Sequence, residues 1–183
     1  MDPKRFQLLK ETLLKHSATR VNPWNGDFTK FQPTAAVTYC VLDPSCSGSG
    51  MRQKNSMDGL SVGSGDHGFT PPKSEASRVE NLAKFQLKLL THALGLPCMQ
   101  RVVYSTCSIW LKENEEVVKS ALAANPKWKL VDAHETEKVR GWADFGVSDD
   151  GELNRKVLRL SGLKHGTQGF FVACFQRQSD SDD

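Results

Sequence analysis

Apolar residues recur every three or four positions in two stretches of the chain, which is the spacing of one face of an α-helix. The first stretch follows Asp2 and Pro3, a capping residue and a proline of the kind that often occupies the first helical position. The second occupies residues 78–94 and stops at Gly95. We therefore expect two amphipathic helices, whose apolar positions are Phe6, Leu9 and Leu13 in the first and Leu82, Phe85, Leu89 and Ala93 in the second.

Other stretches are continuous runs of apolar and β-branched residues, which are typical of β-strands. Residues 35–42 and 101–106 have the composition of parallel strands that are covered on both faces. Residues 128–131 predict a short strand, and residues 169–175 predict an aromatic last strand. Because strands and helices alternate, the sequence predicts an α/β fold with a doubly wound sheet.

Three segments have no clear hydrophobic period. Residues 45–68 are rich in glycine and serine, so we expect a long mobile loop there, closed by a pair of prolines. Residues 132–155 are mixed and polar, and no element is predicted for them. Residues 177–183 predict an acidic, disordered tail that follows a single domain over residues 1–176.

Composition limits the class of protein. The 183 residues are 38% hydrophobic and 25% charged, which suits one globular domain. The net charge of +3 comes from dispersed lysines and arginines, so it favours nucleic-acid binding only weakly. The sequence contains no apolar run long enough to cross a membrane and no signal peptide after Met1, so we expect an intracellular protein.

The cysteines are the first candidates for chemistry. Their odd number and the absence of C-x-x-C spacing argue against a disulfide framework and against a structural zinc site. Cys46 and Cys107 each lie just beyond a predicted parallel strand, and the carboxyl ends of such strands meet at one edge of a sheet, where ligands bind. A single cysteine at a strand end is more often a small core residue than a nucleophile, but two in matching contexts favour a reactive pair.

A carboxylate accompanies this pair. Asp43 lies three residues before Cys46, and a half-buried carboxylate is costly unless it has a task, although an aspartate at a strand end also serves as a turn former. The residues after Cys107 predict a helix start, where backbone amides and the helix dipole lower the pKa of a nearby thiol. A nucleoside triphosphatase is excluded, because the glycine-serine loop lacks the Gly-Lys-Ser/Thr ending of a phosphate-binding loop.

Five motifs occur in a fixed order: Asp43 to Gly50, Tyr104 to Ser108, Glu113 to Glu115, Arg159, and Gly169 to Ala173. Together they resemble the Nop/Sun family of S-adenosylmethionine-dependent RNA (cytosine-5) methyltransferases. The similarity covers residues 1–176, and the Asp-Pro-Ser-Cys wording of the first motif is similar to the branch that modifies large-subunit ribosomal RNA. The resemblance implies a class I methyltransferase fold, whose Rossmann-like sheet is mostly parallel with an antiparallel last strand.

The resemblance also implies a covalent mechanism. Carbon 5 of cytosine is not a nucleophile, so a thiolate must first add to carbon 6, and by similarity Cys107 is that thiolate. Asp43 is similar to the carboxylate that holds N3 of the base as it becomes protonated, and Cys46 to the thiol that assists release of the methylated RNA. The implied partner is RNA, single-stranded or looped so that the base leaves its stack easily, with no membrane and no metal.

S-adenosylmethionine is the cofactor that the resemblance implies. Arg5, Asp27 and Asp43 match cofactor-site positions of the family, although Arg5 also suits a solvated helix face and Asp27 a turn. The family's glycine-rich loop and acidic cofactor residue are expected upstream of the first residue, so an N-terminally truncated domain is predicted. Gly162 stands where the family usually has proline and Gln168 where it commonly has aspartate, which puts the details of the RNA contacts in doubt.

Two other functions stay open. One is a truncated, inactive remnant or isoform that retains RNA binding but not cofactor binding. The other is a thiol hydrolase, which needs a base oriented toward its cysteine, whereas His67 and His165 lie in contexts more typical of surface residues. A ribosomal RNA substrate would imply a nuclear, nucleolar location.

Overall fold

A computed structural model describes residues 2–33, 37–52, 69–135 and 141–178 of the chain. The chain forms two compact units, residues 1–34 and residues 35–183. The smaller unit begins with helix α1 (Pro3–Lys15), which Asp2 caps by accepting a hydrogen bond from the backbone N–H of Lys4 at 2.9 Å. The predicted first helix is therefore confirmed. A single turn of 3-10 helix, Phe28–Lys30, follows in the same unit.

The larger unit contains five strands and five α-helices among its described residues. The strands are β1 (Tyr39–Leu42), β2 (Arg101–Thr106), β3 (Trp128–Val131), β4 (Leu158–Leu160) and β5 (Phe170–Arg177). The helices are α2 (Ser49–Arg52), α3 (Lys73–Leu94), α4 (Glu115–Ala124), α5 (Gly151–Lys156) and α6 (Gly162–His165), and a 3-10 turn, Leu111–Glu113, precedes α4.

The strands form one mixed sheet in the order β1-β2-β5-β3, with β4 also paired to β5. Strand β1 is parallel to β2, and the register pairs Leu42 with Tyr104. Strand β5 is antiparallel to β2, β3 and β4, so those three strands and β1 all run in one direction. The predicted class I methyltransferase sheet, mostly parallel with an antiparallel last strand, is confirmed. Its topology places the carboxyl ends of β1 and β2 side by side.

The core is built from alternate residues of the strands and one face of α3. Phe171, Ala173 and Phe175 of β5 are fully buried, because every second side chain of a strand points to the same face. Helix α3 packs against β1, β2 and α4. Its buried residues recur at helical spacing and are Val79, Ala83, Gln86, Leu89, Leu90, Ala93 and Leu94. Burial of each large apolar side chain contributes about 1.5–3 kcal/mol.

Several predicted boundaries were wrong. Helix α3 begins at Lys73, five residues before the predicted start, because Pro72 can occupy the capping position and the polar first turn needs no apolar period. Within the predicted glycine-serine loop, Ser49–Arg52 form helix α2, while residues 53–68 lie outside the described residues. Strand β5 continues through Arg177, so the predicted tail does not begin there, and residues 179–183 lie outside the described part.

Two further expectations need correction. Strand β1 was predicted to be covered on both faces, but Tyr39 and Val41 are 66% and 77% exposed, and only the face with Cys40 and Leu42 is covered. Residues 37 and 38 lie before the strand, and residues 34–36 lie outside the described part. The polar segment over residues 132–155 includes most of α5, whose cap, Asp150, accepts hydrogen bonds from two backbone N–H groups of the first turn. Among the described residues, no helix is long and apolar enough to span a membrane.

Candidate active site

The two thiols meet where β1 and β2 end. The chain leaves β1 through Asp43, Pro44 and Ser45 to reach Cys46, and it leaves β2 directly at Cys107. Because the two strands are parallel neighbours, both thiols lie at the same edge of the sheet, as the sequence predicts. Their Sγ atoms are 3.1 Å apart, which is hydrogen-bond contact for a thiol pair. We call Asp43, Cys46 and Cys107 the thiol site.

Asp43 completes this site from the end of β1. Its Oδ1 atom accepts a hydrogen bond from the hydroxyl of Ser105 at 3.3 Å, so β2 orients a carboxylate that β1 supplies. The residue is exposed, contrary to the expectation of a half-buried carboxylate. The exposure follows from its position one residue beyond Leu42, where the alternation of the strand turns the next side chain away from the core. An exposed carboxylate remains accessible to a ligand.

Glu113 lies beneath the thiol site and is fully buried. Its Oε1 atom accepts from the backbone N–H of Ser47 and from the side-chain amide of Gln86, both at 2.9 Å. Its Oε2 atom accepts from the hydroxyl of Ser108 at 2.6 Å. The hydroxyl of Tyr104 donates to the Glu113 carbonyl oxygen at 2.6 Å. We call these five residues the Glu113 network.

Three serine hydroxyls connect the loops that carry the thiols. The Oγ atoms of Ser47, Ser49 and Ser108 lie 3.1–3.3 Å from one another, and all three residues are buried. The cluster also caps the backbone, since Ser49 accepts from the N–H of Ile109 at 3.0 Å and Ser108 from that of Trp110 at 3.1 Å. Buried polar groups are stable only when they are hydrogen-bonded, and here each hydroxyl has a partner.

Backbone contact brings the same loops together. Gly50, in α2, donates its N–H to the carbonyl oxygen of Cys107 at 3.0 Å. A Cβ atom at Gly50 would lie 2.7 Å from the carbonyl oxygen of Gly169 and 2.8 Å from its Cα atom. Only glycine permits this approach, so α2 is pressed against both the thiol-bearing loop and the residue before β5.

The comparisons with known proteins agree with this architecture. The sequence profile of the family described as "16S rRNA methyltransferase RsmB/F" matches residues 1–176. The chain belongs to the RsmB/F methyltransferase family. It is similar to a 28S rRNA (cytosine-C(5))-methyltransferase of Mus musculus, with 36% identity over 96% of this chain and 36% of that protein. A 28S rRNA (cytosine-C(5))-methyltransferase of Drosophila melanogaster is 32% identical over 99% of this chain and 40% of that protein.

Solved structures show the same fold. NSun6 from Pyrococcus horikoshii, solved with SFG, superposes with a TM-score of 0.65 and 23% identity over 98% of this chain and 40% of that chain. A methyltransferase homologue from Pyrococcus horikoshii gives a TM-score of 0.70 with 19% identity over 96% of this chain and 51% of that chain. The chain thus spans about two fifths of the length of the curated relatives named above.

The electrostatics of this family member differ from the expectation for Cys107. Its pKa is raised from 9.0 to about 12, first by burial and then by the hydrogen bond and charge of Cys46, with a smaller contribution from Asp43. The predicted lowering was wrong: the helix expected to follow the thiol, α4, begins only at Glu115, eight residues after Cys107. A backbone hydrogen bond does lower the pKa, but burial and the neighbouring acidic groups outweigh it.

Arg159, another residue of the family resemblance, lies beside the network rather than in it. Its guanidinium forms a bidentate pair with Glu115, with Nε–Oε1 at 2.7 Å and Nη2–Oε2 at 2.6 Å. Its Nη1 atom donates to the carbonyl oxygen of Ile109 at 2.9 Å, and the rings of Phe69 and Phe171 flank it at 4.8 and 5.6 Å. Arg159 therefore joins strand β4 to helix α4 and to the loop after Cys107 through charge-assisted hydrogen bonds.

The residues matched to the cofactor site belong to different units. Arg5 and Asp27 are exposed residues of the smaller unit, and Asp43 belongs to the larger one. Asp27 also caps the 3-10 turn, since its Oδ1 atom accepts from the N–H and the hydroxyl of Thr29 at 3.0 and 2.8 Å. The cofactor roles of these three residues therefore stay predictions from the family resemblance. No cluster of three or more potential metal ligands occurs in the described ranges.

Some site residues escaped the sequence analysis. Gln86 lies on the buried face of α3, four residues after Leu82. A polar residue at an apolar position of the helix could have predicted a buried hydrogen-bond network, because buried polar groups need partners. His165 was expected at the surface, but its side chain is 3% exposed and its Nδ1 atom accepts from the N–H of Ser161 at 2.8 Å. His67 lies outside the described residues.

Proposed function

We propose that this chain supplies the base-binding and nucleophilic part of an enzyme that methylates carbon 5 of cytosine in RNA. The substrate class proposed is large-subunit ribosomal RNA, the substrate named for the mouse and Drosophila relatives. The observation that supports the proposal most is the contact of Cys46 with Cys107 at 3.1 Å beside Asp43. Two thiols and a carboxylate at one sheet edge are the groups that this chemistry requires.

The proposed reaction assigns one role to each group. The Cys107 sulfur forms a bond to carbon 6 of cytosine as its proton passes to N3 beside Asp43, which makes carbon 5 nucleophilic. S-adenosylmethionine supplies the methyl group. Asp43 is proposed to contact it from the larger unit, and the cofactor roles of Arg5 and Asp27 stay predictions from the family resemblance. After transfer, the bond between sulfur and carbon 6 breaks as carbon 5 gives its proton to water. The proton on N3 returns to the sulfur of Cys107, and Cys46 assists this release.

The raised pKa of Cys107 sets a condition on the first step. A thiol with a pKa of about 12 is almost entirely protonated at neutral pH, and the thiolate is the nucleophile. Asp43 contributes to the raised pKa, and a base protonated at N3 beside this carboxylate would offset its charge. Burial and Cys46 are larger causes of the raised pKa, so the thiol stays protonated beside the bound base. We infer that Cys107 loses its proton only as it adds to carbon 6, rather than resting as a thiolate.

The same raised pKa also suits the second candidate, an RNA-binding protein that does not transfer methyl groups. In that case Cys107 stays a protonated thiol in the presence of RNA, and neither thiol forms a covalent bond. The two candidates therefore differ in one measurable product, a covalent complex of protein and RNA.

The test uses the protein that contains this chain, a fragment of large-subunit ribosomal RNA and S-adenosylmethionine labelled in the methyl group. Cys46→Ala should accumulate an RNA-linked protein that survives denaturing electrophoresis, because addition continues while release is impaired. Cys107→Ala should give neither label transfer nor a linked complex. Cys98→Ala is the control, since this thiol is exposed and lies outside the thiol site.

The outcomes separate the candidates. Label transfer by the Cys107→Ala protein would overturn the assignment of the nucleophile. Normal RNA binding without any linked complex from the Cys46→Ala protein would favour the non-catalytic candidate. Ribosomal RNA as substrate also leads us to propose a nucleolar location, which fluorescence of the tagged protein in cells would test.

A further inference from the structure

Glu113 takes part in no step of the proposed reaction, yet it is fully buried and accepts hydrogen bonds from three separate segments. Two of its donors come from the residues that directly follow the thiols. Ser47 follows Cys46 and donates its N–H, and Ser108 follows Cys107 and donates its hydroxyl. One carboxylate thus connects the two loops whose thiols must meet.

We propose that Glu113 is the positioning residue that holds Cys46 and Cys107 in contact. The inference rests on the proposed function, because it gives Glu113 a role in that thiol pair. The donors to the Glu113 carboxylate are Ser47, Gln86 and Ser108 and not the cysteines, so it acts through the loops. Its carboxylate accepts from Ser47 at one oxygen and from Ser108 at the other, and it holds the two loops together with the serine cluster and the contact of Gly50 with Cys107.

The surrounding side chains fix the orientation of this carboxylate. The Oε1 atom of Gln86 lies 3.2 Å from the hydroxyl of Tyr104, so the amide nitrogen of Gln86 is left to donate to Glu113 and to the carbonyl oxygen of Ser45 at 3.0 Å. Gln86 therefore contacts the loop before Cys46 as well as the carboxylate. Rigid support of this kind is what keeps reactive groups within the tolerance that catalysis needs.

Glutamine cannot replace Glu113 in this arrangement. All three groups that contact the Glu113 carboxylate are donors: the backbone N–H of Ser47, the amide of Gln86 and the hydroxyl of Ser108. An amide side chain would offer only one accepting oxygen beside a donating nitrogen. In one orientation the nitrogen faces the hydroxyl of Ser108, and in the other it faces the donors of Ser47 and Gln86. The hydroxyl of Ser108 already accepts from Trp110, which limits how far it can rotate to become an acceptor for the new amide.

The contact between the thiols can be measured without RNA or cofactor. Glutathione disulfide oxidises the pair: a bond forms between the two protein sulfur atoms, the disulfide bond of glutathione breaks, and the two thiol protons pass to the two glutathione thiolates. The equilibrium constant reports how closely the folded protein holds the two thiols together. Peptide mass spectrometry quantifies the linkage between Cys46 and Cys107 in a Cys98→Ser background, which removes the exposed thiol.

Glu113→Gln should lower this equilibrium constant at least tenfold, a shift of about 30 mV in the potential of the pair. Ser108→Ala removes one donor of the network and should lower the constant in the same direction by a smaller factor. It also serves as the second variant if Glu113→Gln fails to fold. Val118→Ala, a fully buried change in α4 that leaves the Glu113 network intact, should reduce stability without changing the constant.

Three results would overturn the proposal. One is an unchanged or larger constant for both network variants, and another is a loss of the same size in the Val118→Ala protein. The third is an absence of the disulfide in the unmodified chain across the whole range of glutathione ratios. None of these results depends on methyl transfer, so a failed RNA-capture experiment with normal behaviour of the thiol pair would reject the proposed function alone.

Discussion

Two buried glutamates, two residues apart, are held in opposite ways. Glu113 is fully buried, and its donors among the described residues are uncharged, namely a backbone N–H, an amide and a hydroxyl. Glu115 is 1% exposed and is paired at both oxygens with the guanidinium of Arg159. Glu113 accepts from residues of both thiol-bearing loops, whereas Glu115 is joined to the loop after Cys107 only through Arg159, which donates to the carbonyl oxygen of Ile109.

This difference suggests different roles: the Arg159–Glu115 pair stabilises the fold, and the Glu113 network sets the geometry of the thiol site. A buried ion pair is costly to break, because the remaining charge is left without compensation in a medium of low dielectric constant. A carboxylate that accepts from neutral donors depends less on any single partner, but its geometry is set by all of them together. We therefore expect changes at Arg159 to act mainly on stability and changes at Glu113 mainly on the thiols.

The largest expected effect is on unfolding. Within the described part of the chain, Arg159→Leu leaves the buried carboxylate of Glu115 with one donor, the backbone N–H of Val147 at 3.2 Å. It should lower the free energy of unfolding by about 3–5 kcal/mol, measured by urea denaturation. The matched control is Lys156→Met, which breaks an exposed pair with Glu152 and should cost less than about 1 kcal/mol. Equal losses in the two variants would show that the buried Arg159–Glu115 pair contributes no more to stability than the Lys156–Glu152 pair.

The next effect concerns the backbone contact at the thiol site. Gly50→Ala places a methyl group 2.7 Å from the carbonyl oxygen of Gly169, so the loop must shift, at a cost of about 1–3 kcal/mol. Gly151→Ala is the matched control, since Gly151 begins helix α5 and a Cβ atom there meets nothing within 4 Å. The control should be neutral or slightly stabilising, and thermal unfolding of both variants would check the contrast.

Much of this comparison was accessible from the sequence. Strand ends are local features, so two apolar runs that stop at Cys46 and Cys107 were enough to predict that the thiols share one sheet edge. The contacts of Glu113 were not accessible, because they join residues that are 27 and 66 positions apart in the chain. Helix α5 and strand β4 were missed for a related reason: they are short, and their pairing with longer elements decides their structure.

The shift of the Cys107 pKa could not be predicted from the sequence either. The sequence indicated helical residues after Cys107, but not how far the helix start lies from the thiol or how deeply the thiol is buried. Burial is the largest cause of the raised pKa, and contact with Cys46 is the next. Both depend on tertiary packing, which a local motif does not encode.

A smaller effect is expected from Glu113→Gln on stability. The amide retains one accepting oxygen, so only part of the network is lost, and a buried donor left without an acceptor costs about 1–3 kcal/mol. In urea denaturation, the free energy of unfolding of this variant should therefore exceed that of Arg159→Leu. A loss as large as that of Arg159→Leu would show that Glu113 and Glu115 contribute to stability in the same way.

The smallest expected effect is a change in the pH dependence of thiol alkylation at Cys107. Iodoacetamide reacts with the thiolate, so the rate should rise with pH until the pKa of about 12 is passed, whereas an unperturbed thiol would level off above 9.0. Glu113→Gln should move the apparent pKa of Cys107 down toward 9.0, because separation from Cys46 removes its hydrogen bond and charge while burial continues to raise the pKa.

Glu116→Gln, an exposed change one turn away, should leave the pH profile of alkylation unchanged. Rates are measured at Cys107 by peptide mass spectrometry, and a profile for Glu113→Gln that matches the unmodified chain would mean that the carboxylate does not govern the distance between the thiols.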